Sequence, residues 1–333
     1  MKRLIVLIVV LGGLGAGAWA IAAMGVETAA KRWLDDGRVE GWIVDASDVS
    51  VDGFPLDFAT EFTALRLNDP ETGLTWSTPR FRLEQDVYRL DRITAVFPDE
   101  QVFETPVEEL TLTAAQLSAV LDVRPTANFA LDEAEGVFRD LTLLSTLGWE
   151  LTLGDADLSI SQTADDPNLY AISGSAARLA PPEAFRTLLD PDNALPAEIE
   201  TLTVAANTLF DAPWDRTALE TARPQPLRID IEDATLVWGD MLLRASGTLD
   251  VTPGGVPEGE LDIRAENWRQ MMDLTRNSGL LPERFVPTAE AMLQVLAEMN
   301  GAPEHIDATL TFSNGRVLLG PLPIGPAPSL RIR

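Results

Sequence analysis

Apolar and polar residues alternate along most of this chain, and the alternation has the period of a strand. Phe81 and Leu83, Leu110 and Leu112, Leu141 and Leu143, and Leu202 and Val204 each take every second place. Trp149, Leu151 and Leu153 form one set, and Leu158 and Ile160 follow after a Gly154-Asp155 break. Leu227, Ile229 and Ile231, then Leu261 and Ile263, then Leu310 and Phe312 continue the series. Strict alternation leaves one face buried and one wet, the mark of antiparallel sheet. It predicts roughly 14 to 18 strands. Leu56, Phe58 and Phe62 share a phase that Leu65 and Leu67 abandon, which predicts a bulge between them. Asp233–Asp250 reads as strand, turn, strand, and 132–143 and 153–160 resemble pieces of it, so stacked hairpins are expected.

Two segments depart from this pattern. Residues 181–197 hold a short helix between prolines and divide the β-domain into 41–180 and 198–333. Residues 266–300 are helical. One helix covers Trp268 to about Asn277, with Met271, Met272 and Leu274. In the next, Phe285, Ala289, Met292, Leu293, Leu296 and Met299 form one apolar stripe, and Gly301 is the stop. Four of the seven methionines lie here: Met271, Met272, Met292 and Met299. Their unbranched thioethers adapt to irregular apolar partners. With Leu293 and Leu296 they are candidates for a helical cover over the sheet, or for an ordinary amphipathic pair packed on it.

The N-terminus is different again. Lys2 and Arg3 precede an unbroken apolar or small run from Leu4 to Met24, about 30 Å of helix and so about one bilayer core. Residues 1–24 read as a transmembrane anchor. The positive-inside rule leaves the basic end cytoplasmic and the bulk of the chain outside. Ala18-Trp19-Ala20 also fits a signal-peptide cleavage site, so a cleaved signal is the other reading. Residues 25–40 predict a short helix leaving the membrane and ending at Gly37. Trp19 and Trp33 flank the outer end of the run, while Trp42, Trp76, Trp149, Trp214, Trp238 and Trp268 read as core or edge packing.

Composition removes several function classes. Without cysteine there is no disulfide framework, thiolate metal site or Cys nucleophile. The single histidine, His305, excludes a histidine-cluster metal site and would have to serve any Ser-His-Asp triad; its place at the start of a strand reads as an edge residue. Twenty-five basic against 52 acidic residues give a net charge of −27, which disfavours nucleic acid and anionic headgroups. The plain reading of the excess is solubility. Asp165-Asp166 and Asp190-Pro191-Asp192 lack the calcium-loop spacing and read as turns. The proline-spaced run 320–328 excludes a central strand and reads as an edge cap or a docking strip. No catalytic residue, metal or cofactor is expected.

Four stretches carry a family resemblance: GWIVDASDVSVDGFPLDF (41–58), DPETGLTWSTP (69–79), AVFPDEQVFETP (95–106) and NGRVLLGPLPIGPAPSL (314–330). Together they resemble an alphaproteobacterial family, the domain of unknown function numbered 2125. SGTLDVTPGGVPEGELDIRAENW (246–268) resembles the hairpin of AsmA-type periplasmic envelope proteins. The first resemblance implies no activity and no catalytic residues. The second implies an inner-membrane-anchored periplasmic chain whose long antiparallel sheet curls into a groove or half-barrel, with phospholipid as cargo. The expectation is a mainly β, non-catalytic protein with an N-terminal span and a short helical insertion. Leu227, Ile229, Ile231, Leu261 and Ile263 are its groove candidates. Its expected partners are the inner membrane, phospholipid and other envelope proteins. A structural adaptor for envelope assembly that binds no lipid is the competing reading.

Overall fold

The computed structural model describes residues 2–39, 43–70, 72–220, 222–279, 283–299, 303–320 and 322–332. Trp42 and Gly301 lie outside them, as do the side chains of 2–15, 36–39, 219, 220, 285, 299, 322 and 323. The chain forms two compact units, one of residues 1–122 with 136–148, the other of 123–135 with 149–333.

The first unit opens with α1 (Lys2–Val39), one helix without a break at Gly37. The strands β1 (Ile43–Asp45), β2 (Asp48–Asp52), β3 (Asp57–Asn68), β4 (Thr75–Asp86), β5 (Arg89–Val96), β6 (Glu100–Glu104) and β7 (Glu109–Thr113) follow. Next come β8 (Gln116–Arg124) and β9 (Ala130–Ser145), each with its last or first residues in the other unit. Every pairing is antiparallel. The strand β3 takes β1 and β2 on one side and β4 on the other. The strand β4 changes partner along its length, from β6 at Thr75–Ser77 to β5 at Arg82–Asp86. Leu34 of α1 packs into a core with Val44, Val49, Phe62 and Leu65.

The expected bulge in β3 takes another form. Phe62 and Leu65 both reach the core, as the phase change requires, but the β3–β4 register is the same on either side. Ala64 adopts φ 49°, close to Pro79 across the ladder. Proline has no N–H to donate, so the ladder opens there and the strand twists without an inserted residue.

The expected span at 4–24 finds no support among the described residues, where no helix is long and apolar enough to cross a membrane. The described side chains of α1 begin at Ala16, and the charged residues Glu27, Lys31, Arg32 and Asp35 follow the apolar run within three turns.

The second unit is a meander. The strands β10 (Glu150–Gln162), β11 (Leu169–Ala180), β12 (Ile199–Phe210), β13 (Pro226–Trp238), β14 (Met241–Val251), β15 (Pro257–Glu266), β16 (His305–Ser313), β17 (Arg316–Leu319) and β18 (Leu322–Pro326) each pair antiparallel with the next. The helix α2 (Glu183–Leu189) fills the proline-bounded insertion, and α3 (Arg216–Glu220) is a single turn before β13. Between β15 and β16 come α4 (Trp268–Asn277) and α5 (Val286–Met299). The fold is mainly β and antiparallel, with helical insertions.

Candidate functional site

Register sorts the second unit into one apolar face and one polar face. Leu158 of β10 stands opposite Gly174 of β11, and Gly174 opposite Val204 of β12. Ile160 faces Ile172, and Ile172 faces Ala206. The row continues through Ile231, Gly247, Leu261 and Leu310 on β13 to β16. The opposite face carries Ser159, Thr203, Asp230, Thr248, Glu260 and Thr311. Seven strands at about 4.8 Å make the apolar face about 29 Å wide, nearly twice a leaflet of about 15 Å.

The face is not evenly filled. Leu249, Leu261 and Phe312 are buried in one cluster that Ile231, Ile263, Leu310, Val317 and Ala327 complete. Toward β10 it stays open, with Leu158 42% and Val204 40% exposed. Gly174 lies between them, and a Cβ there would stand 3.3 Å from Val204 Cγ1 and 3.7 Å from Leu158 Cδ1.

The five groove candidates fall on this face by parity. Leu261 is 8% exposed, Ile229, Ile231 and Ile263 are half-buried, and Leu227 at the β13 entrance is exposed. A register shift between Ile231 and Ala234 moves the apolar phase of β13 from odd to even positions, so Leu236 and Trp238 continue the same face. The open stretch around Leu158, Gly174 and Val204 is absent from the sequence-derived candidates. Its signal was the Leu158–Ile160 alternation, which says nothing of what lies across the ladder.

One end of the face is covered by helices. Trp268, Met272, Val286, Ala289 and Ala297 form a cluster with Ala265 and Ile306, against which Met271, Leu293 and Leu296 pack partly buried. Met271 also meets a second cluster around Leu195, Trp238 and Met241. Met292 is half-buried and its Cε reaches Gly320. The side chain of Met299 lies outside the described residues. Arg269 ties the helices down. Its guanidinium donates to Pro303 O at 2.9 Å, Glu304 at 2.6 Å and Gln294 of α5 at 2.5 Å, and it lies 4.6 Å from the Trp268 ring centroid. Asn277 donates to Leu189 O of α2 at 2.8 Å. An open cleft of about 510 Å³ runs between α4 and α5, floored by Trp268 and Met272 and edged by Asp273 and Glu290.

The C-terminal tail lies along the other end. Ala327 N donates to Gly315 O, Leu330 N to Gly255 O, and Ile332 N to Gln225 Oε1. Gly255 adopts φ 79°, and a Cβ there would meet Arg331 at 2.8 Å. Within the run 320–328, β18 (Leu322–Pro326) pairs antiparallel with β17.

His305 sits on the polar face with Nε2 3.0 Å from Asp307 and Nδ1 3.9 Å from Glu266. Asp190 accepts from Ala194 N and Leu195 N, closing a turn as its spacing implied. Among the described residues no group of His, Asp and Glu is placed to hold a metal ion. Tyr170 is fully buried, and its hydroxyl accepts from Trp214 N at 3.0 Å. Burial pushes its phenol above the ordinary value.

These features define a mainly β protein with an antiparallel sheet that is apolar on one face and charged on the other. A family model described as "Uncharacterized protein conserved in bacteria (DUF2125)" matches residues 19–328, and the chain belongs to that family. No curated protein and no solved structure matches it.

Proposed function

We propose that this protein is a non-catalytic, membrane-anchored periplasmic factor that shelters lipid acyl chains on the apolar face of its second unit. In this reading the sheet curls about that face as a groove, and residues 4–24 hold the chain to the inner membrane. One observation carries it: apolar side chains continue across seven strands, yet Leu158 and Val204 remain open to solvent. A contiguous exposed apolar surface is a common feature of binding sites, and the open stretch here continues the apolar face of the sheet. The helices and the tail at its two ends fit a bounded furrow.

The filled stretch around Leu249, Leu261 and Phe312 favours an adaptor that binds no lipid. Fluorescent phospholipid separates the two readings. Mixed with the full chain, a tail-labelled phosphatidylcholine gains emission if it enters the furrow and stays quenched in its vesicle if it does not. A C-terminal reporter active only outside the cytoplasm tests the topology.

A further inference from the structure

The first unit carries a second apolar feature, remote in sequence from the furrow. The turn before β3 and the turn between β4 and β5 lie side by side, since Val87 N donates to Leu56 O at 2.8 Å. Both display large apolar side chains: Phe54 is 54% exposed, Leu56 55%, Tyr88 80% and Leu90 58%.

Their position is set by α1. Trp19 stacks on Phe58 with centroids 5.8 Å apart and an interplanar angle of 15°, and it meets Phe54 edge-on at 5.5 Å. Its indole N–H donates to Asp57 O at 3.1 Å. Trp19 lies five residues before the end of the apolar run, about 7.5 Å along the helix axis. If residues 4–24 are embedded, the two turns cannot stand clear of the bilayer. The contact with Trp19 holds them at the outer edge of the run, next to the interface where tryptophan and tyrosine settle. Ile21 and Met24, on the same helix, are also left open by the protein.

We infer that Phe54, Leu56, Tyr88 and Leu90 form a membrane foot that dips into the lipid interface beside the anchor. The inference rests on the anchor reading above. Asp52, Asp57 and Asp86 are exposed around the foot, so it favours neutral over anionic headgroups. Insertion is driven by apolar and ring burial. The foot holds the first unit against the membrane in a fixed orientation instead of letting it swing on α1.

The chain has no cysteine, so single-cysteine variants label cleanly. Full-length Leu56→Cys, Tyr88→Cys, Val107→Cys and Val10→Cys are each labelled with an environment-sensitive fluorophore. They are reconstituted in phosphatidylcholine vesicles carrying either a shallow or a deep nitroxide quencher. Val107, 76% exposed, lies in the turn after β6, at the far end of β4 from the foot. The foot predicts at least two-fold stronger quenching at 56 and 88 than at 107, weakened when anionic lipid is added. Quenching at 56 and 88 equal to that at 107 overturns it, whatever position 10 does. A label at 10 that is quenched by deep nitroxides while 56 and 88 are not keeps the anchor and removes the foot. Quenching at 56 and 88 with none at 10 by either nitroxide keeps the foot and removes the anchor.

Discussion

Leu158 and Val204 stand on either side of Gly174 on one face of the sheet, with no side chain between them. Gly174 has an ordinary backbone, so a larger residue there costs a tight contact with Val204 and no positive-φ strain. Gly174→Trp is expected to plug the open stretch. Uptake of labelled phosphatidylcholine should fall several-fold, while thermal unfolding moves by less than about 1 kcal/mol. Uptake unchanged with an intact fold would move the binding surface elsewhere.

Charge should act differently at the two ends of the face. Leu261→Asp buries a carboxylate without a partner in the packed cluster and should destabilise by more than about 3 kcal/mol. Val204→Asp leaves its carboxylate in reach of water and should cost less than about 1 kcal/mol while abolishing lipid uptake. Urea unfolding of the two variants measures the contrast.

The face was partly legible in the sequence. Alternation identified β13 through Leu227, Ile229 and Ile231, but the expected break at Gly154-Asp155 is absent: β10 runs unbroken from Glu150 to Gln162, in one register with β11 on either side of Gly154. There Arg178, at φ 56°, lays its guanidinium against Gly154. Alternation reports the face of each strand by itself. Which rows line up, and which remain uncovered, depends on register and on long-range packing. For that reason Leu261 and Leu158 look alike in sequence and differ in burial. The tail's own atoms in the contacts of Leu330 and Ile332 are backbone atoms, which carry no side-chain signature in the tail.

The helical cover is expected to move. Leu293 and Leu296 are only partly buried against their cluster. Truncating either to Ala should cost less than the about 2–5 kcal/mol of a fully packed site. Amides of 286–299 should exchange faster than those around Leu310. Equal protection would leave an ordinary packed helix pair.

Tyr170 gives a pH signature. Its folded pKa is raised by burial, so the folded chain holds a proton that the unfolded chain releases near pH 10. The stability this represents is whole below about pH 10 and is lost as the pH rises through the folded value. Tyr170→Phe should remove that alkaline dependence. At pH 8 it should cost about 1–3 kcal/mol, because Trp214 N loses its acceptor. Urea midpoints at pH 8 and 10.5 for both proteins measure it.

The most direct measurement is native mass spectrometry of the full chain released from detergent. The account predicts adducts with phospholipid mass that disappear in Gly174→Trp and Val204→Asp and persist in Val107→Asp. A wild-type chain that carries no lipid adduct, or one whose adducts survive both furrow substitutions, would contradict it.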